Sequence, residues 1–407
     1  MTKRLILFGL IVIPFITGFH IDPILPLFKC TVRQTKVFFS LGICISIFLS
    51  ALYNGELKAI KNKWLLMFVG LAVISPIYFP SFYTPHVKAG WWQYYPIFQI
   101  MVSFLAMVAV ASLDFSKDEI DRGINVVINC AIIMSGLILI QKLNIDQFFI
   151  IAPIHISHGL GETARLVGTI GHPTWCAAYL AILAPIALYK RRFLASGVMY
   201  GVIWLLSSQM AVGASGIGVL LVCLIKTPKI ALSLTLCTVL TVGALMIRHS
   251  DSIQFNGRLG VWSATIKDFL GPQELIKIEK DFNKNEIEYA HQLNKRKYCL
   301  TGLGWGSFKH IVSKRIEGHF TKVHNEYLEL TLHGGFIGLA LFLGSLLHIY
   351  GLVIFSGSQI VVLMLFVFTI ILLISFGVPM FQTEPMRFYS IIIAGLLHNR
   401  SVLNGTN

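Results

Sequence analysis

The chain has 407 residues, of which 55% are hydrophobic and only 13% are charged, and its formal net charge is +14. Soluble domains carry roughly a quarter charged residues, so this composition excludes a soluble globular protein. Long apolar runs recur along the whole chain, and they predict a polytopic helical membrane protein rather than an outer-membrane barrel, whose strands would alternate in hydrophobicity.

A helix needs about 20 apolar residues to cross the roughly 30 Å hydrocarbon core of a bilayer. About twelve apolar segments approach this length, so the sequence predicts an all-α membrane protein with about twelve spans. The first segment follows Lys3 and Arg4 as a signal peptide would, but no small-residue cleavage site comes after it, and we interpret it as a span. In chain order the predicted spans are Leu5–Phe19, Val37–Tyr53, Trp64–Phe79, Tyr94–Leu113, Ile124–Gln141, Pro173–Tyr189, Phe193–Ser208, Ala211–Ile225, Ile230–Ile247, Gly334–Phe355, Gln359–Phe376 and Phe388–Leu397.

Lys and Arg residues in the short loops predict the orientation, because they concentrate on the cytoplasmic side. If twelve spans alternate, five basic sites share one side, which we assign to the cytoplasm together with both termini. The exception is the loop after the first span, whose basic residues fall outside. The five agreeing sites are Lys3/Arg4, Lys58/Lys61/Lys63, Lys190–Arg192, Lys226/Lys229 and Arg400.

This pattern divides the chain into three regions. Residues 1–247 hold about nine spans, residues 248–333 form one large external loop, and residues 334–407 hold about three spans. Within the large loop, Leu259–Phe269 has helical apolar spacing, which predicts a helix at the membrane interface. A second external loop, Lys142–His172, precedes the sixth span.

The stretch from Gly302 to Gly338 joins a small-residue loop and three histidines to the start of an apolar helix. His324, in VHNEYLEL, is the candidate general base, because a neutral imidazole near pH 7 can accept a proton from an attacking hydroxyl. Glu326 and Glu329 are candidates to orient it. The alternative is an interfacial histidine without a chemical role.

Arg258, in NGRLGVW, is a candidate phosphate ligand, since its guanidinium offers a planar fork of donors. It stands at the start of the predicted interfacial helix, where backbone N–H groups also favour an anion. Stacking of Arg258 on Trp262 is the alternative.

Two further arginines stand where the chain meets the membrane on the external side. Arg165 lies shortly before the sixth span, close to His172, and could either hold a second phosphate or snorkel to the interface. Arg387 lies in the turn before the last span, where ionisable groups are functional candidates. A simple pair between Arg387 and Glu384 is the alternative.

The segment GLGWGSF, residues 302–308, lacks both the GK[ST] ending and the preceding strand of a nucleotide-binding loop. Gly304 and Gly306 are therefore predicted to permit tight turns and close backbone approach. The histidines of this stretch are too irregularly spaced for a zinc site. The seven cysteines are scattered without a CxxC, so we predict no metal, no cofactor and no disulfide framework.

These segments resemble the O-antigen ligase and O-antigen polymerase superfamily of bacterial membrane glycosyltransferases. The resemblance covers nearly the whole chain and is most specific in GLGWGSF followed by HNEYLELTLHGGFIGL, with RLVGTIGHPTWCAAYLAILAPI and GRLGVWSATI similar to two further family segments. It implies metal-independent transfer of a glycan from undecaprenyl diphosphate to an acceptor hydroxyl, such as that of lipid A-core. The reaction would take place on the periplasmic face of the bacterial inner membrane, with no nucleic acid involved.

The resemblance implies catalytic roles for His324, as the activating base, and for Arg258, as a ligand of the diphosphate. One departure concerns a Ser-Arg-Gly type motif that members often carry in a middle span. Here that place reads VGASGIGVL, with Ser215 and Gly216 but no arginine, so either Arg165 or Arg387 supplies the charge or the activity is altered or lost. The implied substrate-binding residues are Arg165, His172, Asn325, Gly304, Gly306 and Arg387.

Several alternatives remain open at this point. Polymerisation of lipid-linked repeat units, or transfer to a protein hydroxyl, would keep the superfamily and change the acceptor, and the sequence does not separate them. A transporter or lipid flippase is the alternative of another class. Such proteins usually have broken helices and inverted repeats with charged groups near mid-membrane, whereas here the polar residues concentrate in external loops and at span ends.

Overall fold

The computed structural model describes residues 1–16, 32–78, 95–143, 154–158, 161–165, 170, 173–206, 208–226, 262–263, 265–266, 299–302, 304–305, 325–354, 358–375, 386–399 and 402. Within this part of the chain the protein forms eleven helices and one two-stranded hairpin. The helices are α1 (Thr2–Ile16), α2 (Val32–Tyr53), α3 (Lys63–Tyr78), α4 (Tyr95–Ser112), α5 (Lys117–Lys142), α6 (Pro173–Tyr189), α7 (Phe193–Leu205), α8 (Gln209–Lys226), α9 (Glu326–Ile354), α10 (Gln359–Ile374) and α11 (Met386–Leu397), and the strands are β1 (Ile154–His158) and β2 (Gly161–Arg165).

Eleven of the twelve predicted spans coincide with these helices, and the ninth, Ile230–Ile247, lies outside the described residues. Helices α5 and α9 are each long and apolar enough to cross a membrane. Eight shorter apolar helices of 10–17 residues accompany them in the described part of the chain. The helical class is thereby confirmed, while the number of spans stays a prediction.

The hairpin departs from the all-helical expectation. Strands β1 and β2 pair antiparallel, with Ile154 opposite Arg165 and His158 opposite Gly161. In β1 the apolar Ile154 and Ile156 alternate with polar residues, which is the period of a strand. Hydropathy over a whole span does not detect so short an element. The predicted external loop before α6 therefore contains β-structure, and Arg165 is its last residue.

The helices are grouped in two compact units, each built from separated segments of the chain. Unit 1 comprises Met1–Ile60, Ser103–His249 and Ile349–Asn407, and unit 2 comprises Lys61–Val102 and Ser250–His348. The three-part division predicted along the chain is not tested by this grouping and stays a prediction.

Unit 1 is a helical bundle in which α11 lies in the interior, since ten of its residues are buried. Helix α6 packs against α7 and α8, and α10 packs against α8 and α11. The contact between α6 and α8 depends on a small residue, because a Cβ at Gly218 would collide with the ring of Pro185 and with Ile370. Small residues permit such close approach between membrane helices.

Three ion pairs of unit 1 join segments that the charge pattern assigns to the cytoplasmic side. With their N–O distances they are Lys3–Glu119 (2.8 Å), Lys58–Asp114 (3.1 Å) and Lys190–Asp121 (2.6 Å). Asn399, after α11, also donates to the carbonyl of Val110 in this region, over 3.3 Å. Exposed ion pairs add about 1 kcal/mol or less to the stability of a protein. These pairs therefore mainly show which segments are neighbours. The chain start, three helix connections and the residues after α11 lie at one end of unit 1.

Unit 2 joins α3 to α9. Asn62 accepts a hydrogen bond from the backbone N–H of Leu65 (3.1 Å) at the start of α3, and its amide donates to Ser345 Oγ (3.2 Å) of α9. Next to this hydrogen bond, Trp64 lies so close to Gly344 that a Cβ at Gly344 would collide with the indole. The buried core between the two helices consists of Phe68, Ala72, Trp305 and Leu341.

Candidate functional site

Helix α9 is interrupted at Gly335, whose backbone has φ 65° and ψ −169°. The break divides the helix into a short segment, residues 326–334, and a long segment, residues 336–354. Gly302, with φ 76°, packs directly on the break, and a Cβ at Gly302 would overlap the backbone of His333 and Gly335. A Cβ at Gly335 would in turn overlap the carbonyl of Leu300. Both positions therefore require glycine.

The loop of residues 299–304 satisfies backbone groups that the break would leave without partners. The N–H of Phe336 donates to the carbonyl of Cys299 over 2.9 Å, and the N–H of Ile337 donates to that of Leu300 over 3.1 Å. The N–H of Gly304 donates to the carbonyl of His333 over 2.9 Å. Residues 299–302, 304–305 and 333–337 thus form one structure, which we call the loop–helix junction. It gives Gly304, a predicted site residue, a structural role through its backbone.

Trp305 fixes the end of this loop. Its side chain is buried and meets the ring of Phe68 edge to face, with 5.7 Å between centroids. It meets the imidazole of His333 in the same way, at 5.2 Å. The glycines of the loop allow the backbone to approach α9, and the tryptophan then anchors it in the core of unit 2.

Asn325 begins α9 as its N-cap. Its side-chain oxygen accepts hydrogen bonds from the backbone N–H groups of Tyr327 (3.0 Å) and Leu328 (3.1 Å). Asparagine is among the residues preferred at this position, because the first N–H groups of a helix have no partner within the helix. Asn325 is also buried. The structure thus gives a predicted substrate-binding residue a capping role, and it orients the chain directly after His324.

The short segment of α9 has a buried polar face. Glu326, Glu329 and His333 follow the i, i+3, i+7 spacing of one helix face, and all three are more than nine-tenths buried. Sequence reasoning considered the two glutamates and missed His333. The signal that could have found it is this spacing, which continues directly from Asn325. The face concentrates two carboxyl groups and an imidazole within the first three turns of α9.

Arg387 lies in the first turn of α11, in unit 1, with only 4% of its surface exposed. Its neighbours Met386, Phe388 and Tyr389 are buried as well. A guanidinium at the N-terminal end of a buried helix favours an anionic neighbour, because the helix dipole is also positive there. Glu384, its predicted alternative partner, lies outside the described residues.

Two other predicted elements belong to unit 1. Arg165 ends β2 opposite Ile154. Ser215, in the segment where the family motif would carry an arginine, is buried and donates its hydroxyl to the carbonyl of Val212 over 2.8 Å. Among the glycines of α8, Gly218 serves helix packing, whereas a Cβ at Gly213 or Gly216 would meet nothing within 4 Å.

Several predicted site residues lie outside the described residues, namely His324, Arg258, His172 and Gly306. Of the predicted interfacial helix, Trp262, Ser263, Thr265 and Ile266 are described and are helical. Across the described ranges, no group of three His, Cys, Asp or Glu residues is arranged to hold a metal ion.

No protein-family model matches the chain, and no curated protein matches it either. Function is therefore argued from the residues and their geometry. Three features carry that argument: the loop–helix junction, the buried polar face of α9 and the buried guanidinium of Arg387.

Proposed function

We propose that the protein is a multi-pass glycosyltransferase of the O-antigen ligase type, which transfers a glycan from undecaprenyl diphosphate to an acceptor hydroxyl. The observation that carries the proposal is the loop–helix junction. The two parts of the most specific resemblance, GLGWGSF and HNEYLELTLHGGFIGL, are separate in sequence, yet the N–H of Gly304 in the first donates to the carbonyl of His333 in the second. Next to this bond, the N–H groups of Phe336 and Ile337 donate to Cys299 and Leu300, which lie just before the first part. The two parts of the resemblance therefore belong to one structure, as residues of a shared site require.

The surface of α9 supports a membrane location with the junction at the boundary. Its large exposed apolar side chains all lie in the long segment, at Phe336, Ile337, Leu343, Leu347 and Ile354. At 1.5 Å per residue this segment is about 28 Å long, close to the roughly 30 Å hydrocarbon core. The short segment, with its buried carboxyl groups, then lies at the level of the headgroups. A lipid-linked donor presents its diphosphate at this level.

The clustering of loops in unit 1 supports the proposed orientation. The chain start and the connections after α2, α4 and α6 lie at one end, joined by Lys3–Glu119 and its companion ion pairs. This is the end that the positive-inside rule assigns to the cytoplasm. The hairpin with Arg165 and the first turn of α11 with Arg387 are reached after an odd number of proposed spans. The proposal therefore places both arginines on the periplasmic side.

In the proposed reaction the acceptor oxygen attacks the anomeric carbon of the glycan while its proton passes to the imidazole of His324. The bond from that carbon to the diphosphate breaks, and its electron pair stays on the diphosphate oxygen. Arg258 stabilises the developing charge, as fixed donors do at a leaving group. Substrate binding by Arg165 and Arg387, which the resemblance implies, stays a prediction. Attack opposite the leaving group inverts the anomeric centre.

The break in α9 bears on the transporter alternative, because broken helices are typical of transporters. In those proteins the free ends of the half-helices contact the substrate or ion. Here the N–H groups of Phe336 and Ile337 and the carbonyl of His333 are bonded to the loop backbone instead. The break thus holds a loop in place, which supports an enzyme rather than a transporter.

The test is transfer by the purified protein in phospholipid nanodiscs, with an undecaprenyl diphosphate glycan, lipid A-core and EDTA. We expect a new glycolipid of higher mass that His324→Ala abolishes, while His348→Gln, in the long segment of α9, retains transfer. Lengthening of the donor without modification of lipid A-core would identify a polymerase. Unchanged donor, or full transfer by His324→Ala, would contradict the proposal.

A further inference from the structure

At the loop–helix junction, two side chains in ring contact each carry a buried polar atom without a hydrogen bond to the described protein. Trp305 is 7% exposed and His333 is 8% exposed. Trp305 Nε1 and His333 Nε2 have no hydrogen-bond partner among the described groups. Buried polar atoms are almost always paired, with protein or with an ordered small molecule. Two such atoms on touching side chains therefore point to a common ligand.

The chemistry of the two nitrogens restricts what that ligand is. The indole Nε1 can only donate, so the ligand must offer an acceptor, and a metal ion is excluded at this atom. The imidazole Nε2 of a neutral histidine with its proton on Nδ1 can only accept. A single hydroxyl group meets both demands, because it accepts one hydrogen bond and donates another.

The surroundings favour a small, neutral occupant. The rings of Trp305 and His333 lie with centroids 5.2 Å apart, and the indole is packed into the core with Phe68, Ala72 and Leu341. A polar site of this kind holds ordered water in many proteins. The same hydrogen bonds would suit a hydroxyl of a saccharide.

We propose that Trp305 Nε1 and His333 Nε2 together bind one hydroxyl oxygen at the break of α9. The oxygen accepts a hydrogen bond from the indole and donates one to the imidazole. It thereby links the loop that carries Trp305 to the end of the short segment, beside the backbone bond between Gly304 and His333. This link is independent of whether the protein transfers glycans.

The experiment uses ultraviolet resonance Raman spectroscopy, in which the indole N–H bending band reports hydrogen bonding. The full chain is held in phospholipid nanodiscs free of sugar detergents. Subtracting the spectrum of Trp305→Phe from that of the wild type isolates Trp305. We expect a hydrogen-bonded indole without saccharide, which identifies water, or only after addition of a disaccharide, which identifies a saccharide hydroxyl. A free indole N–H in both samples would overturn the proposal.

His333→Phe keeps an aromatic ring at the site and removes the accepting nitrogen. We expect it to shift the Trp305 band towards the free position, and an unchanged band would show that no oxygen is shared. Trp64, which is half-exposed in the same unit, is the control, and its band should not respond to His333→Phe. In the unmutated protein, ¹⁵N labelling of histidine provides a second measurement. The proposal requires an unprotonated, hydrogen-bonded Nε2 at His333, and a protonated Nε2 would overturn it.

Discussion

Tyr389 donates its phenolic hydrogen to the backbone carbonyl of Leu10 over 2.8 Å. Leu10 lies four residues before Pro14 in α1, so the proline, which has no N–H, leaves this carbonyl without its helical donor. A side chain from α11, 379 residues away, replaces the missing bond. Ser75 does the same locally in α3, where its hydroxyl donates to the carbonyl of Ala72 (2.8 Å), the acceptor that Pro76 leaves.

Tyr389→Phe is expected to destabilise the protein by about 1–3 kcal/mol, the cost of leaving a buried polar group unpaired. Thermal unfolding in nanodiscs measures this. Pro14→Ala restores the backbone donor, so in that background the effect of Tyr389→Phe should shrink. Tyr179→Phe is the control, because its hydroxyl lies 3.4 Å from that of Tyr389 and does not contact Leu10 in this way. Equal effects of Tyr389→Phe in both backgrounds would contradict this explanation.

Gly335→Ala is expected to disrupt the loop–helix junction. The backbone conformation at Gly335, with φ 65° and ψ −169°, is essentially restricted to glycine and costs another residue about 1–3 kcal/mol. The added Cβ would also overlap the carbonyl of Leu300. Gly338→Ala is the matched control one turn later, since its Cβ would make an ordinary contact of 3.6 Å with Leu71 Cδ2. We expect loss of stability and of glycan transfer for Gly335→Ala only. Similar melting temperatures for both variants would show that the break is not needed.

The contrast between α9 and its predicted span shows how much of this helix can be predicted from the sequence. Hydropathy located the apolar part from Gly334 onward, because that property is local. It left out the short segment, since Glu326 and Glu329 lower the average, although Asn325 is a readable N-cap. The break itself depends on the carbonyls of Cys299 and Leu300, which are distant in sequence. Periodicity within α9 carries no information about them.

For the candidate site, too, the sequence indicated which residues are notable but not which contacts they make. Residue types identified Asn325, Gly304 and Arg387 as notable, because capping, tight-turn and charged residues stand out against an apolar chain. Their actual contacts needed the fold: Gly304 serves through its backbone N–H, and Arg387 is buried inside a bundle. His333 escaped notice because an isolated histidine in an apolar stretch becomes informative only beside Trp305.

Asn325 permits a test that separates capping from substrate binding. Asn325→Ala should cost about 0.5–2 kcal/mol of stability, as for other N-caps. Asn325→Asp keeps a capping oxygen and adds a negative charge near the helix N-terminus, so it should retain stability. If Asn325 also contacts a diphosphate donor, the added charge lowers transfer while the melting temperature stays unchanged. Full transfer by Asn325→Asp would restrict the residue to its structural role.

Arg387 tests the proposed function in unit 1. The resemblance implies that its guanidinium binds the diphosphate donor, and loss of one such donor group lowers a rate constant by roughly 10²-fold or more. Arg387→Lys keeps the positive charge without the planar fork, which is not equivalent at a bidentate site. We therefore expect Arg387→Lys to reduce transfer strongly while the protein remains folded, as judged by size-exclusion chromatography and thermal unfolding. Arg122→Lys, an exposed position in α5, is the matched control and should transfer at the wild-type rate. If Arg387→Lys unfolds, its buried charge is structural, and if it transfers normally, the guanidinium does not hold the diphosphate.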